Sequence, residues 1–366
     1  VAQGEVFVVV PPGTEELAAE ELGELGLSGE LHDGGLLVTG GLEAVYRVSL
    51  FSRLSSRVLL RVGRARGGSL AQLADGVRHL PWKRYLQRGQ PLKVHVTLRD
   101  SRLRRRDTVA KKVELAIGDA LKSQTRGRGA PPPEAGVWVR VERDKVELSI
   151  DTSGELLHRR GWGVARTEAP LRENLAAAVL RGCGWVPGQP LVDPMCGSGT
   201  FLLEAATLLE GHAPGSRRSF AFEHFPDHDA ARWEALRAYA APLDARSPLF
   251  GSDVDPDAVR AARSNAERAG VAGAIDWQVC DVAELEAPPG PGWVVTNPPY
   301  GERLAKGQAK AVVRRLGHTL RERFAGWGVA VVLPPRLVSA VGLPLETAMT
   351  LSNGGLRVVV AVGVVP

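Results

Sequence analysis

The stretch VVTNPPYGERL, Val294 to Leu304, brings together residues suited to one narrow kind of chemistry. Pro298 and Pro299 cannot donate to a β-ladder, and each fixes its own φ. A residue that precedes proline is pushed out of the helical region, so Asn297 and Pro298 are both held extended. The result is a stiff turn after a β-branched segment, with the Asn297 amide on one side and the Tyr300 ring on the other. Such a turn suits the gripping of something flat and polar.

Three more motifs place carboxylates at the ends of apolar runs. LVDPMCGSGTFLLEAA reads as strand, glycine-rich turn and helix. Gly197 and Gly199 let backbone approach a ligand closely, and Thr200 starts the helix. The Gly-Lys-Ser/Thr of a nucleotide phosphate loop is missing. Leu202 stands where a dinucleotide fingerprint needs a third glycine. Asp193, just ahead of the turn, suits a cationic or amino-acid-bearing ligand; a purely structural glycine turn is the competing reading of this motif alone. In LFGSDVDPDAVRAARSNA, Asp253 ends a strand where a carboxylate can take both hydroxyls of a ribose. Asp255 and Asp257 read as helix-start residues favoured by the macrodipole. In VCDVAEL, Asp281 ends the next strand and can accept from an adenine amino group.

These residues need a scaffold that brings strand ends to one edge. From about Arg166 strands alternate with helices, which argues for a mostly parallel, doubly covered sheet over 166–366. ETAMTLS-NGG-LRVVVAVGVV closes it as an antiparallel hairpin. Before it stand two α+β units. Residues 1–66 read as strand EVFVVV, a helix capped by Thr14, strand GGLLVTG, helix LEAVYRVSLFSR and strand SRVLLRVGRA. Residues 67–165 read as helix LADGVRHLPWKRYL, strand PLKVHVTLRD, helix DTVAKKVELAIGDALK and a hairpin turning at Asp144-Lys145.

Composition narrows the partners. The 366 residues are 44% apolar with a formal charge of +5. No apolar run reaches the length of a membrane span, and the amino terminus lacks a basic signal region. Cys183, Cys196 and Cys280 form no disulfide framework and no paired zinc pattern, which fits a reducing cytoplasm. Between Ser101 and Ala130, nine basic residues face three acidic ones. Arg102, Arg104, Arg105, Arg106, Lys111, Lys112, Arg126 and Arg128 are candidates for phosphate contacts, with a solvated helix face as the equal alternative. Cys196 reads as a small buried packing residue. His224, Asp227 and His228 lack a second cluster, so no metal is expected. Trp162 can stack on a base or anchor a domain junction, and Arg159 and Arg160 can meet phosphate or solvent. Glu302 and Arg303 can line a substrate pocket or cap their loop.

Taken together, DPMCGSGT, GSD, CDV and NPPY resemble a class I S-adenosylmethionine (SAM)-dependent methyltransferase acting on an exocyclic nitrogen. SGELLHRRGW, TEAPLRENLAAAVL, GHAPG, NPPYGERL and the terminal SNGGL are similar to the RlmL-like family of 23S ribosomal RNA guanine-N2 methyltransferases. The resemblance covers essentially the whole chain. It implies an α/β, Rossmann-like catalytic domain behind ferredoxin-like and THUMP RNA-binding domains, and a stand-alone enzyme without the second methyltransferase module of the long form. It implies that Asp193, Pro194, Met195, Cys196, Gly197, Ser198, Gly199 and Thr200 hold the methionine moiety of SAM, Asp253 its ribose and Asp281 its adenine. Glu173 and Asn174 would flank the cofactor. Asn297 and Pro298 would accept the hydrogens of a guanine N2 amine, with Pro299 stiffening the turn and Tyr300 stacking on the base. Adenine-N6 and glutamine-N5 methyltransferases share Asn-Pro-Pro-Tyr, but the basic amino-terminal half favours structured RNA: ribosomal RNA first, transfer RNA as the runner-up. A non-catalytic RNA-binding protein is the reading from a different class.

Overall fold

Strands whose apolar residues recur at every second position bury one face and leave the other to solvent. That rule organises the first half of the chain. The computed structural model describes residues 4–124, 132–163, 171–239, 246–300 and 308–366. The chain runs β1 (Glu5–Val9), α1 (Glu15–Glu24), β2 (Gly29–His32), β3 (Gly35–Thr39), α2 (Gly41–Phe51), β4 (Arg57–Arg66), α3 (Leu70–Arg78), β5 (Leu92–Arg99), α4 (Arg106–Leu121), β6 (Ala135–Glu142) and β7 (Lys145–Asp151). The seven strands form one sheet in the order β2-β3-β1-β4-β7-β6-β5. The α+β units at 1–66 and 67–165 therefore share a sheet, joined by the antiparallel β4–β7 pair. Val6, Val8, Val58, Val137, Leu148 and Ile150 are fully buried in one core with α1–α4. Arg57, Arg61, Trp138 and Arg140 alternate with such residues and lie on the other face.

Two elements differ from the sequence expectation. The short, polar β2 pairs with β3 and lacks the apolar alternation that would reveal it. The segment LADGVRHLPWKRYL is not one helix. α3 starts behind Ser69, whose hydroxyl oxygen accepts from Gln72 N, and Pro81 then forces a separate turn at Trp82–Arg84.

The second half continues through α5 (Glu173–Cys183), β8 (Leu191–Asp193), α6 (Thr200–Leu209), α7 (Ala230–Arg237), β9 (Leu249–Asp253), α8 (Pro256–Ala269), β10 (Asp276–Val279), β11 (Trp293–Thr296), α9 (Gln308–Arg323), β12 (Gly328–Leu333), α10 (Val338–Val341), β13 (Glu346–Asn353) and β14 (Leu356–Val364). Its sheet has the order β10-β9-β8-β11-β12-β14-β13. The pairs from β10 through β12 are parallel, and β14 runs antiparallel to both of its neighbours. Strand order reverses between β8 and β11, and such a switch point leaves a crevice at the carboxyl ends of the strands. All six residues of β12 are buried, as a central strand covered on both faces requires.

The halves meet through buried polar groups. Glu204 on α6 accepts from Arg160 Nε and Arg53 Nη1, each at 3.1 Å. Arg160, though 2% exposed, also donates to Leu157 O and Arg53 O, so its charge is paired and its donors are engaged. Phe220, Phe222, Phe225 and Trp233, around α7, belong to the amino-terminal core rather than the catalytic one. No helix among the described residues is long and apolar enough to cross a membrane.

Candidate active site at the switch point

The loop after β8 gets its shape from backbone. Gly197 and Gly199 both take positive φ, at 53° and 86°. A Cβ on Gly199 would lie 2.7 Å from the Trp277 ring, so this position demands glycine on two counts. Asp253 at the end of β9 ties the loop down: Oδ2 accepts from Gly197 N at 2.9 Å and Oδ1 from Asp255 N at 3.0 Å. Each oxygen retains lone-pair capacity for a hydroxyl. Cys196 N donates to Ser252 O, and Asn265 on α8 donates to Ser198 O at 3.2 Å.

Around this loop opens a cavity of about 710 Å³, lined by Asp193 to Ser198, Thr200, Asp253, Asp255, Asp281, Asn297 and Pro299 among others. Four sequence motifs, spread over more than 100 residues, thus converge on one crevice. Asp193 is 2% exposed. Burial pushes its carboxyl up to about 7; Met195 N donates to it, opposing the rise, and the nearby Asp253 charge adds to it. Asp281 goes the other way. Ala283 N and Arg315 Nη1 each donate to it at 2.9 Å and hold its carboxyl below the ordinary range. Burial and the two neighbouring aspartates push the Cys196 thiol up, so a thiolate nucleophile is disfavoured. Asn297 lines the cavity with a buried side-chain oxygen that has no hydrogen-bond partner among the described residues.

Several expected residues sit elsewhere. Asn174 is fully buried at the junction, where Nδ2 donates to Leu54 O and to Ser56 Oγ at 2.9 Å; it holds the two halves together and does not line the cavity. Glu173 opens α5, also outside the lining. Tyr300 is 5% exposed, and its hydroxyl accepts from Asn353 Nδ2 at 2.9 Å. Its ring belongs to the catalytic core and is not among the described residues that line the cavity, so here it anchors the turn. Trp162 is likewise a core residue, Arg159 pairs with Glu155 in solvent, and Arg160 is buried on Glu204. His228 meets the Tyr46 hydroxyl and Asp227 pairs with Arg84, which gives both structural work. Arg104, Arg105 and Arg106 are exposed, whereas Arg102 pairs with Asp144 and Lys111 with Glu114; Lys112 is half-buried on α4. Arg126, Arg128, Glu302 and Arg303 lie outside the described residues. Arg315, Phe201 and Val282 line the cavity without having been singled out. α9 carries four arginines, and nothing in their spacing singles out Arg315.

The cavity's chemistry fits SAM. Asp193, Asp253 and Asp281 place three carboxylates in its wall, which suits a cationic ligand rich in hydrogen-bond donors. Comparison with known proteins agrees. Residues 160–341 match the family described as RMKL-like, methyltransferase domain, and residues 5–59 match the RlmL ferredoxin-like domain. An RNA methyltransferase of Synechocystis, itself provisionally assigned, is 34% identical over 96% of this chain and 94% of its own length. The chain belongs to the RlmL-like methyltransferase family. Another relative, the ribosomal RNA large subunit methyltransferase K/L of Syntrophotalea carbinolica, is 36% identical, and this chain spans 52% of its length. A provisionally assigned methyltransferase solved with S-adenosylhomocysteine (SAH) superposes with a TM-score of 0.89 at 29% identity, covering 100% of this chain and 99% of that one. The RlmL-like chain is thus a class I, Rossmann-like, SAM-dependent methyltransferase with an amino-terminal ferredoxin-like domain, from a family that modifies RNA.

Proposed function

We propose that this protein transfers a methyl group from SAM to the exocyclic N2 of a guanine in 23S ribosomal RNA, and that residues 67–165 act as a THUMP-type RNA-capture unit. The observation that carries the reading is the buried Asn297 oxygen, without a partner among the described residues, at the wall of a carboxylate-lined cavity. A buried acceptor without a donor is costly, and an aromatic amine would supply the missing hydrogen.

SAM, when bound, supplies a methyl group on a positively charged sulfur, open to displacement in line. Asp253 and the Gly197 amide fix the loop that receives it, and Asp193 offers a carboxylate to its cationic end. The Asn297 side-chain oxygen and the Pro298 carbonyl accept the two amine hydrogens. That turns the nitrogen lone pair out of conjugation with the ring and toward the methyl carbon. Displacement would form the N–C bond as the S–C bond breaks, with the electron pair left on sulfur to give neutral SAH and one amine proton passing to solvent. Positioning carries most of the rate. A guanine held in a stack has to be extruded into the cavity first.

The test offers methyl-labelled SAM and the wild-type enzyme to RNA from cells lacking it. The RNA is then digested and the labelled nucleoside identified by mass spectrometry. N2-methylguanosine from 23S RNA is expected. Label in adenine, in transfer RNA, or in protein alone would replace this reading.

A further inference from the structure

Strand register adds cations from elsewhere in the chain to the basic stretch that follows β5. At one end of the first sheet Arg66 lies opposite Lys145, Lys145 opposite Glu142, and Glu142 beside Arg99. Backbone bonds knit the loops there. Gly67 N donates to Asp144 O at 2.7 Å, Arg143 N to Arg99 O at 3.2 Å, and Arg102 N to Asp144 Oδ1 at 2.8 Å. A Cβ on Gly67 would lie 2.9 Å from Val146 Cγ2, so the end of β4 and the β6–β7 turn are in direct contact.

Arg66, Arg99, Arg104, Arg105, Arg106, Arg143 and Lys145 are all exposed. None forms an ion pair among the described residues, whereas their neighbours Arg102 and Arg140 are neutralised by Asp144 and Glu142. Asp100 and Asp107 are carboxylates that follow β5 among these cations. The patch is therefore strongly cationic and assembled from three separate parts of the chain. It is also remote from the catalytic half. The junction lies at the Arg57 end of β4, where Arg53, Leu54 and Ser56 meet Glu204 and Asn174. A ten-residue strand separates that end from Arg66, which is roughly 30 Å at about 3.3 Å per residue.

Resting on the reading of the protein as an RNA methyltransferase, we propose that this sheet end is a distal phosphate anchor. It holds the backbone of a folded part of the substrate RNA roughly 30 Å from the junction while the target base enters the cavity. Six of the seven side chains are guanidinium groups, which match phosphate geometry. None is aromatic, so the patch reads backbone and not bases. A substrate fragment too short to span the distance loses the anchor but not the chemistry.

The test compares the wild type with two triple variants, Arg66→Gln/Arg99→Gln/Lys145→Gln and Arg104→Gln/Arg105→Gln/Arg106→Gln. The probes are a full 23S RNA transcript and a short hairpin carrying the target guanine, still unmethylated. For the transcript, each variant should raise Kd and KM at least about tenfold near 0.1 M salt and lower the slope of log Kd against log salt by about 2 to 3. kcat on the transcript and SAH affinity by calorimetry should hold, and the hairpin should not distinguish the three proteins. Unchanged salt slopes, or equal losses on the hairpin, would overturn the anchor. So would wild-type binding to phosphatidylserine vesicles that the variants lose while RNA affinity stays intact. A wild type that labels no RNA defeats the functional reading itself. A wild type that labels RNA, matched by both variants at every salt concentration, defeats only the anchor.

Discussion

Asn297 contributes a buried acceptor for which no described residue provides the hydrogen. Asn297→Ala should slow methyl transfer on the order of 100-fold while calorimetry finds SAH affinity near the wild-type value. Equal loss of both would give Asn297 a cofactor role instead. Asp193 makes a pH prediction. Its carboxyl sits at about 7 when folded and at about 4 in an unfolded chain. The folded state thus binds the proton more tightly, and stability falls as pH rises from about 4 to about 7, levelling off above. The span is on the order of 4 kcal/mol. Urea unfolding at a series of pH values should show that fall in the wild type and lose it in Asp193→Asn; parallel curves would contradict it. Binding of the cationic cofactor should also weaken as pH drops through about 7. The strand-end residues Asp193, Asp253, Asp281 and Asn297 were readable because sharp local signals, glycine, proline or strand termination, surround each one. Tyr300 and Asn174 were misplaced because their partners, Asn353 and Ser56, are distant in sequence.

At the scale of elements, α6 joins the cofactor loop to the amino-terminal half. It begins at Thr200 and carries Glu204 one turn later, clamped between Arg53 and Arg160. Glu204→Gln leaves two guanidinium groups without their counter-ion at a cost of about 3–5 kcal/mol. A lower denaturant midpoint and weaker SAH binding are expected together; a loss of stability with SAH affinity intact would separate α6 from the site. The β13–β14 hairpin reaches the catalytic turn through Asn353 and Tyr300. In a double-mutant cycle, Asn353→Ala and Tyr300→Phe should couple by about 1 kcal/mol in stability, and additive effects would deny the contact. Helix α8 was legible from its ends: Asp255 caps it, Pro256 starts it and Gly270 closes it in the left-handed region. Thr14 stands at the N-cap of α1 as read, but its hydroxyl donates to Pro11 O and makes no cap bond to the helix. Side-chain rotation of that kind leaves no mark on residue spacing.

At the scale of the whole molecule, the sequence suggests successive units, and the chain interleaves them. Tyr46 on α2 packs against Phe222 and Trp233, and its hydroxyl meets His228 Nδ1 at 2.9 Å. Arg232 on α7 reaches back to both oxygens of Glu43 at 2.9 and 2.6 Å. Contacts across some 180 residues have no periodic signature, so the residues around α7 looked like part of the catalytic domain. Expressed alone, residues 160–366 should expose those rings, bind a hydrophobic dye and aggregate. A soluble monomer with wild-type SAH affinity would show that the halves fold independently.

A crystal structure with SAH bound tests the central claim most directly, through the space between its sulfur and the Asn297-Pro298 turn. The sulfur should face that turn, leaving room for a methyl group and an amine nitrogen about 3–3.5 Å apart. A sulfur turned toward the far wall of the cavity, with Asn297 bonded elsewhere, would contradict the assignment of this turn as the methyl acceptor's seat.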